Sequence, residues 1–278
     1  MSAVERIGAG LRLLALSVIV ALPALAHADT VLITGANSGI GLQFATQYAE
    51  KGWTVIATHR RSSPPKALAD LAAKFPKVQI ESLDVTNEEQ AVALAKRLAN
   101  TPIDVLLNNA GIYNDRSGCA PENEECAGDW NVENFGTLKF SLYDSMLAVN
   151  VKGPLIVSQA FYNNVKASRQ KKIVAISSSN GSLTGPRSIS PGILFYRASK
   201  TALNREMQIV ASSVKTDGVT VVMFNPGATV TEHQKNPKNF PGMLESAETV
   251  RFMIGTIEQV TLKDTGRFLR YDGATEPW

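Results

Sequence analysis

Thr34-Gly35-Ala36-Asn37-Ser38-Gly39-Ile40-Gly41 decides how this chain is read: it follows the apolar run Val31 to Thr34 and leads straight into a stretch of helical periodicity. Diphosphate oxygens bind at a helix N-terminus by approaching backbone N–H groups, and a side chain at the wrong position would hold them off. Glycines at 35, 39 and 41 clear that path. A glycine turn alone is weak evidence, because any tight turn uses glycine for its positive φ. The strand before it and the helix after it favour a nucleotide site, with Gly35, Asn37, Ser38, Gly39, Ile40 and Gly41 as its contacts.

Outward from that segment, short runs rich in β-branched residues alternate with longer helical stretches. The expected strands are Val31 to Thr34, Val55 to Thr58, Val78 to Leu83, Val105 to Leu107, Ile173 to Ser177, Val219 to Phe224 and Arg267 to Tyr271. The expected helices are Ile40 to Lys51, Glu88 to Leu98, Leu142 to Val165, Tyr196 to Lys215 and Ala247 to Thr261. Such alternation predicts an α/β fold: a single-domain Rossmann-type, doubly wound parallel sheet of about seven strands with helices on both faces. Ile112 to Ser141 breaks the pattern, being polar and aperiodic, and loops of that length usually serve function or move.

The first 28 residues read differently. Arg6 and Arg12 precede an uncharged apolar run, Leu13 to Ala26, and Ala26-His27-Ala28 has the form of a signal-peptidase site. The run is too short to span a bilayer comfortably, so no stable membrane span is expected after processing. Cleavage would make the protein periplasmic or secreted; an uncleaved anchor or a misassigned start would leave it membrane-anchored or cytoplasmic. Residues 29–278 then form one domain of ordinary size.

The charge balance, 28 basic against 25 acidic residues, carries no nucleic-acid footprint. Cys119 and Cys126 share one polar loop, where they form either a small disulfide ring or a pair of free thiols. The three histidines are not at ligand spacing from them, and no metal site is expected. A serine hydrolase is disfavoured despite the serines at 177 to 182, because no G-x-S-x-G elbow exists.

The glycine spacing is G-x-x-x-G-x-G, and in that form the segment resembles the short-chain dehydrogenase/reductase family. Asn108-Asn109-Ala110-Gly111, Ile176-Ser177-Ser178, Tyr196-Arg197-Ala198-Ser199-Lys200 and Asn225-Pro226-Gly227 follow in the family's order. The stretch Tyr196 to Asn204 and the ending Tyr271-Asp272-Gly273 with Glu276-Pro277-Trp278 are similar to the C-factor and sniffer group of carbonyl reductases. The resemblance implies hydride transfer between NADP(H), with NAD(H) as the alternative, and a carbonyl or alcohol substrate such as an aldehyde, ketone or quinone. A nucleotide-binding sensor without turnover on the same fold is the rival reading.

Within that resemblance each residue has an expected role. Free tyrosine has a pKa of about 10, and a nearby ammonium lowers it; Tyr196 and Lys200, four apart on one helix face, are the expected acid–base pair. Ser178 holds the substrate oxygen, with Ser177 its rival and Ser179 an outside choice. Asn150 binds a water and connects the lysine to solvent. His59-Arg60-Arg61 stands at the end of the second strand, where NAD enzymes commonly carry an acid, and Arg60 is the expected selector of the NADP 2′-phosphate. Asp84 and Val85 contact the adenine, although Asp84 also suits a cap for a helix starting near Thr86. Asn109, Ala110 and Gly111 line the ribose side, and Pro226, Gly227, Thr229 and Thr231 hold the nicotinamide end. Relatives pair through their long central helices, which makes a homodimer or homotetramer the expected assembly.

Overall fold

Alternate residues of a strand face opposite sides of a sheet, so a strand that is apolar throughout must be covered on both faces. The computed structural model describes residues 28–114, 129, 131–186, 191–230 and 243–278, and its strands meet that condition. Residues 1–27, on which the signal-peptide reading falls, both cysteines and Thr231 lie outside the described residues.

In chain order the elements are β1 (Thr30–Ile33), α1 (Gly39–Glu50), β2 (Thr54–His59), α2 (Lys66–Lys74), β3 (Val78–Ser82), α3 (Glu88–Arg97) and β4 (Val105–Asn108). After a 3-10 turn at Asn131–Glu133 come α4 (Phe140–Leu147), a π-helical turn (Ala148–Lys152), α5 (Gly153–Ala160), α6 (Tyr162–Lys166), β5 (Lys172–Ile176) and α7 (Leu194–Val214). The chain ends with β6 (Thr220–Asn225), β7 (Thr229–Val230), β8 (Leu244–Glu245), α8 (Ser246–Gln259) and β9 (Phe268–Arg270). Seven strands form one sheet in the order β3-β2-β1-β4-β5-β6-β9, every neighbouring pair parallel. The winding reverses between β1 and β4, which opens a crevice at their carboxyl ends. A separate two-stranded ribbon, β7 with β8, was not expected from the sequence.

The two faces carry separate cores. Val31, Ile33, Val105 and Leu107 point into one, against Phe44 and Tyr48 of α1 and Met253 and Ile257 of α8. Leu32 and Leu106 point into the other, against Leu94 of α3, Val157 of α5 and Met207 of α7.

Two expectations need correction. The single helix expected over Leu142 to Val165 is broken into α4, the π turn, α5 and α6. Pro154 has no backbone N–H to bond to the preceding turn, and Gly153 packs where a Cβ would come within 2.9 Å of Val85 Cγ2. Val149, Val151 and Ile156 stay buried through the break, which is why the apolar pattern hides it. Conversely, α2 went unpredicted because only Leu68 and Leu71 of its nine residues are buried, too few to make a visible stripe.

Candidate active site

All the principal parallel strands end on one edge, so the loops that follow them converge there. The turn Thr34–Ser38 follows β1, Arg60 follows β2, Asp84 follows β3, Asn109 to Gly111 follow β4, Ser178 follows β5 and Pro226-Gly227 follow β6.

Gly35 and Gly39 have φ of 64° and 52°, in the left-handed region that a side chain disfavours. The other constraint on this turn comes from the protein itself. A Cβ on Gly41 would lie 2.2 Å from the carbonyl oxygen of Gly35 and 2.5 Å from Asn109 Nδ2; one on Gly35 would lie 3.0 Å from Ala110 Cα. These glycines let the first helix, the first turn and the fourth strand's loop close on each other, in addition to clearing a path for a ligand. Asn109 completes the brace: its Nδ2 donates to the carbonyls of Thr34 (3.0 Å) and Gly35 (3.1 Å), while the amides of Asn109 and Ala110 both donate to Thr34 Oγ1 at 3.0 Å. Ser38 makes no capping bond from its side chain, and the first turn of α1 has no acidic residue. The positive end of α1 is therefore not answered by a carboxylate of its own, which suits a diphosphate.

Arg60 is exposed at the β2 end of the crevice. Asp84 Oδ1 accepts from the amide and hydroxyl of Thr86 at 2.9 and 2.7 Å, but the helix expected there starts at Glu88 and is capped by Asn87. Val85 is a buried core residue beside Gly153. The Gly227 amide bonds Asn225 Oδ1 at 3.0 Å, and buried Thr229 turns its hydroxyl to the Pro226 carbonyl at 3.1 Å.

On the chemical side, Ser177 and Ser178 differ in their partners. Ser177 Oγ is buried and donates to Asn204 Oδ1 at 2.6 Å, whereas Ser178 shares a side-chain hydrogen bond with Tyr196. Lys200 Nζ donates to the Ile176 carbonyl at 2.9 Å and lies 5.8 Å from the centre of the Tyr196 ring. Asn150 sits in the π turn, a distortion frequent at functional sites. Its side chain both accepts from and donates to the backbone of Ile112, at 2.8 and 2.7 Å, and donates to Ser199 Oγ at 3.0 Å. Gly111 leaves a gap between the two halves of this group: a Cβ there would meet Asn150 Oδ1 at 3.3 Å and Lys200 Nζ at 3.6 Å.

Burial opposes the expected lowering of the tyrosine by Lys200. Burial pushes the Tyr196 phenol up to about 12; the Ser178 bond opposes it, and the charges of Tyr113 and Glu133 add to it. Burial also brings Lys200 down to about 8. The order matters, because a lysine that loses its proton first is neutral by the time the phenol titrates. Below pH 8 the ammonium is present and faces any phenolate formed during a reaction. That attraction favours the phenolate and so works against the effect of burial on the phenol.

Sequence reasoning missed several participants. Thr34, Ser199 and Asn204 hold the named residues in place through the bonds above, and Glu133 bonds the backbone amide of Tyr196. No pattern singles out an isolated acid in an aperiodic loop or a hydroxyl whose partner lies 75 residues away.

A family model for short chain dehydrogenases matches residues 29–241, and the chain belongs to that family. It is 28% identical over 255 residues to a 1-hydroxy-2-glutathionyl-2-methyl-3-butene dehydrogenase from Rhodococcus sp. (strain AD45), covering 90% of this chain and 100% of that one. It is 26% identical over 186 residues to the C-signal protein of Myxococcus xanthus, covering 67% of this chain and 99% of that protein. Among solved structures it superposes on an NADPH-bound carbonyl reductase from chicken fatty liver with a TM-score of 0.76 and 26% identity, over 91% of this chain and all of the other.

Gly41→Ala should lower stability by about 1–3 kcal/mol, since backbone must move to admit the methyl group. Gly255→Ala, on α8 with open space around it, should instead raise stability by up to ~1 kcal/mol through helix propensity. Urea unfolding of the two variants measures both signs.

Proposed function

We propose that this protein is an NADP(H)-dependent carbonyl reductase acting on an aldehyde, ketone or quinone by Tyr196–Lys200 acid–base chemistry. The observation that carries this reading is the buried Lys200 ammonium, anchored on the Ile176 carbonyl at 2.9 Å and 5.8 Å from the Tyr196 ring, beside Ser178 at the end of β5. The NADPH-bound state of the chicken carbonyl reductase supports the choice of cofactor.

The residues present suit the dinucleotide. The turn Gly35 to Gly41 and the start of α1 receive the diphosphate, and Arg60 pairs with the 2′-phosphate. Asp84 and Val85 would border the adenine, Asn109 to Gly111 the ribose, and Pro226, Gly227 and Thr229 the nicotinamide, the end to which the family pattern also assigns Thr231. When bound, the reduced cofactor supplies a hydride to the carbonyl carbon. Ser178 holds the carbonyl oxygen, and Tyr196 donates its phenolic proton to that oxygen as negative charge gathers there. The Lys200 ammonium stabilises the phenolate left behind. Asn150, across the Gly111 gap from the lysine, serves the return of protons from solvent. The burial that raises the phenol's pKa keeps it protonated and ready to donate at neutral pH.

NADPH oxidation should be assayed against para-nitrobenzaldehyde, cyclohexanone and menadione. Tyr196→Phe is expected to lower kcat at least a hundredfold, the lower end of a general acid's contribution, with NADPH affinity kept. For the native protein, kcat/KM for reduction should be level through neutral pH and fall as pH rises through about 8, where Lys200 loses its charge. A rise across that range would oppose the assigned role of the ammonium.

Arg60→Ala should raise KM for NADPH by roughly ten- to a hundredfold, the cost of one charge-assisted phosphate bond. KM for NADH should stay unchanged, so the ratio of the two constants is the informative measurement.

A further inference from the structure

The long helix α7, which carries both Tyr196 and Lys200, begins without a cap of its own. The residue in the N-cap position is Ile193, with a left-handed φ of 46° and no hydrogen-bonding side chain. A β-branched residue held there is strained. The first helical amides, those of Phe195 and Tyr196, would ordinarily be met by a Ser, Thr, Asp or Asn at that position.

Glu133 meets them from 63 residues away. Its Oε2 accepts from the Tyr196 amide at 2.9 Å, and the Phe195 amide also bonds its carboxyl group. The side chain is fully buried, and Oε1 has no hydrogen-bond partner among the described residues. A carboxylate so placed is costly unless it does something a smaller residue could not. Around it, Phe195 packs on Tyr143 and Phe140 of α4, with ring centres 5.0 and 5.9 Å apart, so the start of α7 is gripped from two sides. The turn that holds Glu133 is itself fixed by the Lys139 amide donating to the Val132 carbonyl at 3.0 Å and by Thr137 Oγ1 donating to the Asn131 carbonyl at 2.5 Å.

We propose that Glu133 is a positioning residue: its carboxyl group replaces the cap that Ile193 cannot provide and fixes the height at which α7 presents Tyr196 to Ser178. The amide it holds belongs to the same residue as the phenol, so a shift of the helix start moves the proton donor directly. The turn Asn131–Glu133 thereby has an assigned task at the start of the helix that carries Tyr196. This rests on Tyr196 being the proton donor.

The test compares Glu133→Gln and Glu133→Met, both close in volume to glutamate, of which only glutamine keeps an oxygen for the amide. With the best carbonyl of the panel, E133Q should retain kcat within about threefold, and E133M should lose about tenfold, the size of one lost cap bond. NADPH affinity, read by fluorescence titration, should stay within about twofold in both, because the diphosphate and 2′-phosphate contacts lie on other elements and only Tyr196 and Lys200 of the expected cofactor contacts lie on α7. Equal kcat in E133M and the native protein, with only a lower unfolding midpoint, would overturn the proposal by showing a purely structural cap. So would a loss in E133Q as large as in E133M. Should E133M not fold, E133Q decides alone: kcat within threefold supports the proposal and a tenfold loss overturns it. Tyr196→Phe in the same series separates the two claims, since full activity there removes the acid–base reading, whereas its inactivity beside an unaffected E133M removes only the role of Glu133.

Discussion

Lys200 Nζ, on a residue only 5% exposed, donates to the carbonyl of Ile176 and stands 5.8 Å from the Tyr196 ring. Taking an ammonium out of water is costly, and here it lowers the lysine's pKa to about 8. Everything near it helps to hold the charge in that position. The end of β5 supplies the acceptor, α7 sets the spacing to the phenol, and Gly111 leaves the ammonium a gap toward Asn150. A lysine in open solvent could not stabilise a phenolate to the same degree, because water screens the pair. Burial makes the pair effective and raises the cost of maintaining it.

The nucleotide half of the crevice relies on close backbone packing. Gly41 meets the carbonyl of Gly35, Gly35 meets Ala110, and Asn109 ties the turn to the end of β4. The turn that would receive a diphosphate is thus joined rigidly to the strand next to the catalytic helix's own. Asn150 extends the connection by bonding Ile112 on one side and Ser199 on the other. The two halves are connected by the side chains of Asn109 and Asn150, each bonded to backbone on separate elements, an arrangement that gives fixed geometry at polar positions.

Much of this was legible in the sequence. The strands were found because most are short and apolar on both faces, although β3 at the sheet edge carries Gln79, Glu81 and Ser82; the glycine turn and the Tyr196–Lys200 spacing are local patterns. What was not legible depends on distant partners. Glu133 lies in an aperiodic stretch, and its value comes from an amide 63 positions later. The π turn around Asn150 leaves the apolar pattern intact while breaking the helix. The phenol's upward shift is a matter of burial, which spacing cannot report. The bond that occupies Ser177 likewise depends on a distant partner, Asn204, 27 residues later.

The central claim is that Tyr196 and Lys200 work on a carbonyl beside a dinucleotide held at the glycine turn. A crystal structure of the chain with NADP and an unreactive carbonyl analogue tests it most directly. The account predicts the diphosphate on the start of α1, and the phenolic oxygen of Tyr196 within hydrogen-bond distance of the analogue's oxygen on the side of the nicotinamide's reactive carbon. A nicotinamide bound away from Tyr196, or an analogue oxygen held by groups other than Ser178 and Tyr196, would contradict it.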